Sequence, residues 1–207
     1  MRGRDPFGRA LTEIRGRIRS GAVLPGQPLI VDDLARDLRL SPTPVREALA
    51  YLDGEGLIVG RAIAGRGYVA SPLTATELGD LYRLHANQVV FAIAEAARRG
   101  HRAAMTGGEA GEAKDLAERA GEVFARLVRA GGNLPLLRTH LALAHRLHRA
   151  RIVEPQVLEG VEAELHDLAT SGQDLAGAVR RYHRRRIAAR EEIARLAAEA
   201  AATGPEI

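Results

Sequence analysis

Cysteine is absent from this 207-residue chain, which excludes a disulfide framework and any zinc–thiolate centre. Tryptophan is absent as well, and aromatics make up only 3% of the residues. Leu, Ala, Val and Ile therefore have to fill whatever core forms. No apolar run approaches the roughly 20 residues needed to cross a bilayer, and no secretory pattern opens the chain. A cytoplasmic protein with no membrane partner is the expectation. Lysine is nearly absent too, with one Lys against 29 Arg. Strand-favouring residues are sparse outside positions 57–70.

What is present favours helix. Ala, Leu, Arg and Glu dominate after residue 70, and 46% of the chain is apolar, enough for one large or two small domains. The net charge of +4 is unevenly placed. Residues 1–72 carry 11 Arg against 8 acids, whereas residues 73–207 carry 19 basic against 18 acidic groups. The excess is modest, and on its own does not establish a nucleic-acid partner.

The most informative run is SPTPVREALAYL at 41–52. Ser41 suits an N-cap and Pro42 a first helical position. Pro44 still lies in the first turn, where a missing N–H costs nothing. Val45, Ala48, Leu49 and Leu52 fall on one face at i, i+3, i+4, i+7. Thr43, Arg46, Glu47 and Ala50 then occupy the other, giving a small, polar, cationic surface of the kind that enters a major groove. Before it, one helix carries Leu11, Ile14 and Ile18, with Arg15 and Arg19 beside them. A second carries Val31, Leu34, Ala35 and Leu38. After it, 57–61 and 67–70 read as two short strands joined by a tip with Gly65, Arg66 and Gly67. This is the order of a winged helix-turn-helix.

Ser71-Pro72-Leu73-Thr74 reads as a hinge, with Thr74 and Glu77 as a capping box for the next helix. Only helical patterns follow, over 75–99, 112–130, 134–151, 155–170 and 173–202. The fold expected is mainly α, with a winged helix-turn-helix and small β-hairpin over 7–72, then an all-α bundle over 73–203.

Three motifs in order carry a resemblance: Pro25-Gly26-x-x-Leu29, Thr43-Pro44-Val45-Arg46-Glu47-Ala48-Leu49 and Glu55-Gly56-Leu57. Together they resemble the GntR superfamily of bacterial transcription regulators. The resemblance implies an operator-binding homodimer answering to a small-molecule effector, often an organic acid, and by analogy a repressor. It also implies DNA contacts from Ser41, Thr43, Pro44, Arg46 and Glu47, and from Gly65, Arg66 and Gly67 at a minor-groove wing, with Arg15 and Arg19 near phosphates. Pro42 stands where the family usually has an Arg.

The helical remainder is similar to the FCD-type ligand domain of the FadR-like branch. DLYRLHANQ from Asp80 resembles its opening helix, with His85 and Val89 replacing the usual Arg and Glu. Ala130-Gly131-Gly132-Asn133 resembles its AGN turn. His166 and His183 match two late histidines that commonly bind a divalent metal with an earlier Asp and His. Those earlier positions are Gly121 and Ala125, so two of the four usual ligands are missing.

The histidines also stand out by position. His85, His140 and His183 sit on apolar stripes, and His166 at the edge of one. A buried imidazole needs a partner. The expectation is that His166 and His183 line an effector pocket, joined by His140 or His85, with a metal on His166 and His183 left open. RRYHRRR at 180–186 reads as a solvated face. Two alternatives stay open: a small metal-dependent hydrolase on the histidine-bearing helices, and a DNA-binding protein without an effector. No HExxH, P-loop or dinucleotide fingerprint supports an enzyme.

Overall fold

The computed structural model describes residues 5–61, 67–101, 105, 115–170 and 174–203. The chain divides into two compact units, the first comprising Met1–Leu73 and Ala198–Ile207 and the second Thr74–Ala197. Gly65, Arg66 and the separators Gly107-Gly108 and Ser171-Gly172 lie outside the described residues.

In the first unit, α1 spans Pro6–Arg19, capped by Asp5, which accepts from the Gly8 amide at 2.9 Å. The short helix α2, Val31–Leu38, ends at Arg39 in the left-handed region. Leu40 then packs against the core and leads into α3, Pro42–Gly54. Ile14 and the Val45, Ala48, Leu49, Leu52 stripe are wholly buried together. A three-stranded antiparallel sheet closes the unit, with β1 at Pro28–Leu29, β2 at Ile58–Arg61 and β3 at Gly67–Ala70, in the order β1-β3-β2. Ile58 pairs with Ala70 and Gly60 with Tyr68, and Leu29 pairs with Tyr68 from the other side. The sequence anticipates the hairpin but not β1.

The second unit is helical: α4 Ala75–Arg98, α5 Leu116–Ala130, α6 Leu134–Val157, α7 Val161–Thr170, α8 Leu175–Ala188 and the part of α9, Arg190–Thr203, that lies up to Ala197. Short polar side chains start these helices, as caps do. Thr74 accepts from the Glu77 amide, Asp115 from Glu118, Asn133 from Leu136 and Asp174 from Gly177. The core joins Val89, Ala92 and Ala96 of α4 to Val123, Phe124 and Leu127 of α5, Leu165 of α7 and Val179 of α8.

Two expected boundaries are corrected. α6 does not stop at 151 but runs to Val157 with Pro155 in its last turn, because Val153 and Glu154 are buried and hold that turn down. The single helix expected over 173–202 breaks at Ala189. There Arg190 Nη1 donates to the Ile187 carbonyl at 3.0 Å and satisfies the end of α8.

Gly131 follows α5 with ordinary helical angles, so conformation does not require it. Space does. A Cβ there would stand 2.9 Å from the Ala92 carbonyl oxygen and 3.1 Å from Ala92 Cα. Gly131→Ala should therefore push α5 and α4 apart and cost about 1–3 kcal/mol, read as a lower denaturation midpoint.

Candidate functional site

The recognition surface follows from the periodicity of α3. With Val45, Ala48, Leu49 and Leu52 inside, Thr43, Arg46, Glu47 and Ala50 are all exposed. Ser41 holds the N-cap position in extended backbone, but its side chain makes no capping bond. Pro42 and Pro44 are half-buried in the first turn. At the other end of α3, Asp53 Oδ1 accepts from the Gly60 amide at 3.0 Å, which anchors the wing strand β2 to the helix. Gly67 opens β3 opposite Arg61. Arg19 is half-buried.

Arg15 is committed elsewhere. Its guanidinium grips the Glu55 carboxylate at 2.9–3.3 Å, both side chains mostly covered, and lies 6.0 Å from the Tyr51 ring centroid. Reading it as a phosphate contact is corrected on this ground: it is a brace between α1 and the end of α3.

The second unit holds a buried polar centre. His85 on α4, His140 on α6 and His183 on α8 are almost wholly enclosed. The His85 ring centroid lies 4.8 Å from that of His140 and 4.9 Å from that of His183. His166 is not among them. It is exposed on α7, so pairing it with His183 in a pocket or on a metal is corrected: it lies outside the stripe that Leu165 and Leu168 bury.

The hydrogen bonds of this centre have a direction. Arg151 Nη2 is 2.9 Å from His85 Nε2, His85 Nδ1 is 2.7 Å from His183 Nε2, and His183 Nδ1 is 2.7 Å from the Val179 carbonyl. A guanidinium only donates and a carbonyl only accepts. The chain is therefore Arg151 N–H to His85, His85 Nδ1–H to His183, and His183 Nδ1–H to Val179, with both imidazoles neutral. Burial pushes His85 well below the usual imidazole range, and the nearby Arg151 charge pushes the same way. Burial holds His183 down at about 3, against the opposing pull of the Val179 bond. His140 is likewise at about 3, from burial first and Arg151 second. Among the described residues neither of its ring nitrogens has a hydrogen-bond partner.

Beside this relay stands a carboxylate hub. Glu154 Oε1 accepts from the Tyr82 hydroxyl at 2.5 Å, and Oε2 accepts from Tyr182 at 3.2 Å and from Arg186 Nε at 2.8 Å. Arg186 also donates to Glu164 at 2.8 Å and stacks on Tyr182, its Cζ 3.2 Å from the ring centroid. Burial and the Glu154 charge hold both phenols above their ordinary range. Arg186 is wholly buried, which corrects its place in the solvated 180–186 face; Arg180, Arg181, Arg184 and Arg185 are exposed as expected. Sequence reasoning missed Arg151, Glu154, Tyr82, Tyr182 and Arg186. Their signal was helical spacing: Tyr82 and His85, Arg151 and Glu154, and Tyr182 and Arg186 are three or four residues apart on buried faces.

Residues 8–67 match the family described as bacterial regulatory proteins, gntR family. Over 145 residues, 64% of this chain and 67% of the relative, the sequence is 33% identical to the Nta operon transcriptional regulator of Aminobacter aminovorans. The chain belongs to the gntR family. An HTH-type transcriptional regulator of Agrobacterium vitis is 32% identical over 71 residues, covering 34% of this chain and 40% of its own length. Among solved structures, E. coli McbR/YncC gives a TM-score of 0.65 at 17% identity, covering 91% of this chain and 98% of that one. A GntR regulator of Rhodococcus sp. RHA1 gives 0.60 at 15% identity, with 92% and 96% covered. These likenesses are of fold.

As a gntR-family member the chain is a DNA-binding transcription regulator, and the hydrolase alternative falls away. Regulators of this family bind operator DNA. No helix of the described residues is long and apolar enough to cross a membrane.

The metal set implied by the FCD resemblance does not fit this chain. Gly121 and Ala125 offer no donor, and His166 is exposed. Both ring nitrogens of His85 and of His183 are already engaged. Among the described residues no group of three or more His, Asp or Glu side chains is arranged to hold a metal ion.

Proposed function

We propose that this gntR-family protein is a cytoplasmic homodimer that represses transcription from its operator and is released by a small organic-acid effector. In this reading the first unit reads DNA, and the second holds the partner and the effector. The observation that carries it is the α3 surface: Thr43, Arg46, Glu47 and Ala50 exposed on a helix whose other face is wholly buried. That leaves Arg46 free to reach a base edge. Ser41 and Pro44 stand at the helix start, where a phosphate would lie, and Gly65, Arg66 and Gly67 are the further residues assigned to DNA contact in this reading. Arg19 serves as a lesser phosphate contact.

A dimer is supported by apolar side chains left exposed on two adjacent helices, Leu84 and Phe91 on α4 and Leu134 and Leu141 on α6. Gln88 donates to Thr139 at 3.4 Å between those helices. A two-fold dimer would present two α3 helices to half-sites about one helical turn apart. The effector reading is supported by the buried polar centre, where neither ring nitrogen of His140 has a hydrogen-bond partner among the described residues.

Arg46→Ala tests the proposal. It should weaken binding to a selected operator by about 1–3 kcal/mol while leaving binding to random DNA nearly unchanged. Equal affinity of mutant and wild type for the selected operator, in a titration at fixed salt, would refute the role.

A further inference from the structure

We infer that the buried centre of the second unit takes a small carboxylate, and that the cation holding it is the Arg151 guanidinium rather than a metal ion. The inference rests on the effector-responsive reading above.

Its first ground is a charge left over. Arg185 and Arg186 meet the carboxylates of Glu164 and Glu154. Both Glu154 oxygens are taken by Tyr82, Tyr182 and Arg186. Arg151 is 2% exposed, and among the described residues no carboxylate pairs with it. Among the described residues its one hydrogen bond goes to the neutral imidazole of His85, and its Nε has no partner there. A guanidinium cannot shed its proton. A buried cation bonded only to a neutral ring is costly until an anion joins it.

The second ground is a donor with no task. His140 is fully buried, and among the described residues both its ring nitrogens are unpartnered. It flanks the same His85 ring that Arg151 touches. Being neutral, it offers one N–H and one acceptor nitrogen, so with Arg151 Nε it supplies two donors to one carboxylate.

The third ground is a gap beside the charge. Gly121 on α5 is half-buried. Leaving aside its two chain neighbours and the backbone of its own helix, the one atom of the described residues within 4 Å of where its Cβ would stand is Arg151 Nη1, at 3.9 Å. A side chain at 121 would close this approach to the guanidinium, and glycine leaves it open. The Phe124 ring, 5.5 Å from Arg151 Cζ, backs the guanidinium on the same helix. The position whose side chain would ligate a metal in the resembling domain is thus bare, and a fixed organic cation stands next to it.

The test uses the full chain, dialysed against EDTA and checked for metal content. Thermal unfolding is followed against sodium acetate and sodium malonate, with sodium chloride and sodium phosphate as controls. Stabilisation by a carboxylate salt that persists without metal is expected. Arg151→Gln should raise the half-saturating concentration by about tenfold or more, as loss of a charge-assisted hydrogen bond does. Gly121→Asp is the second variant. It places a carboxylate beside Arg151, so it should raise the ligand-free midpoint and abolish further response. Three results would overturn the inference: no response to either carboxylate, a response that needs added Zn²⁺ or Ni²⁺, or equal responses in wild type and both variants. Retention of a selected operator is measured on the same samples. Loss of retention in wild type would defeat the regulator reading itself, whereas retention without a carboxylate response would defeat the inference alone.

Discussion

Glu154→Ala is expected to cost about 3–5 kcal/mol, a large fraction of the stability of an ordinary domain. One carboxylate here serves three buried donors: the Tyr82 and Tyr182 hydroxyls and Arg186 Nε. Arg186 is fully buried and stays charged, so removing its counter-ion strands a cation against the single half-covered carboxylate of Glu164. Glu154→Gln keeps the volume and one acceptor oxygen, and should cost less. The decisive measurement is a double-mutant cycle. If the loss comes from the stranded cation, Glu154→Leu combined with Arg186→Met should be less destabilised than Glu154→Leu alone, in guanidinium titrations of the full chain. Additive losses would show that packing, not charge, sets the effect.

How much of this was legible in the sequence depends on whether the cause of each feature is local. The α3 surface was legible because a cap, a 3.6-residue period and a glycine stop all lie within 41–56. β1 was not, since two residues with a proline carry no strand signal, and its pairing is decided by Tyr68 and Val69 some forty residues away. The break at Ala189 has no glycine or proline to mark it, because its stabiliser is a side chain folding back from Arg190. In the polar centre, His85, His140 and His183 were visible as polar interruptions of apolar stripes. Arg151 was not, for among 29 arginines nothing local separates the buried Arg151 and Arg186 from the solvated ones. Glu154 lay past the expected end of α6, where Pro155 reads as a helix start. His166 misled because a helix-edge position cannot tell inside from outside.

Acid should destabilise the protein well above the pH at which carboxylates protonate. His85, His140 and His183 are neutral and buried, with His140 and His183 held at about 3. In the unfolded chain an imidazole titrates near 6.5. Between those values the unfolded state binds more protons than the folded one, so stability is complete above about pH 6.5 and falls as the pH drops toward 3. At pH 5 the loss is about 2 kcal/mol for each of His140 and His183, and His85 adds to it in the same direction. The groups facing them do not offset this. Arg151 disfavours a second positive charge, and Glu154 is already claimed by Arg186 and the two tyrosines. A stability profile measured by denaturant titration at pH 7, 6 and 5 should therefore slope steeply downward. His140→Leu separates this cause from general acid effects. It removes an imidazole with no hydrogen-bond partner, so it should hold or raise stability at pH 7 and flatten the slope below 6.5. A wild-type profile that is level from pH 7 to 5 would mean that these rings take up protons in the fold as readily as in water, and that the neutral relay from Arg151 to Val179 is wrong.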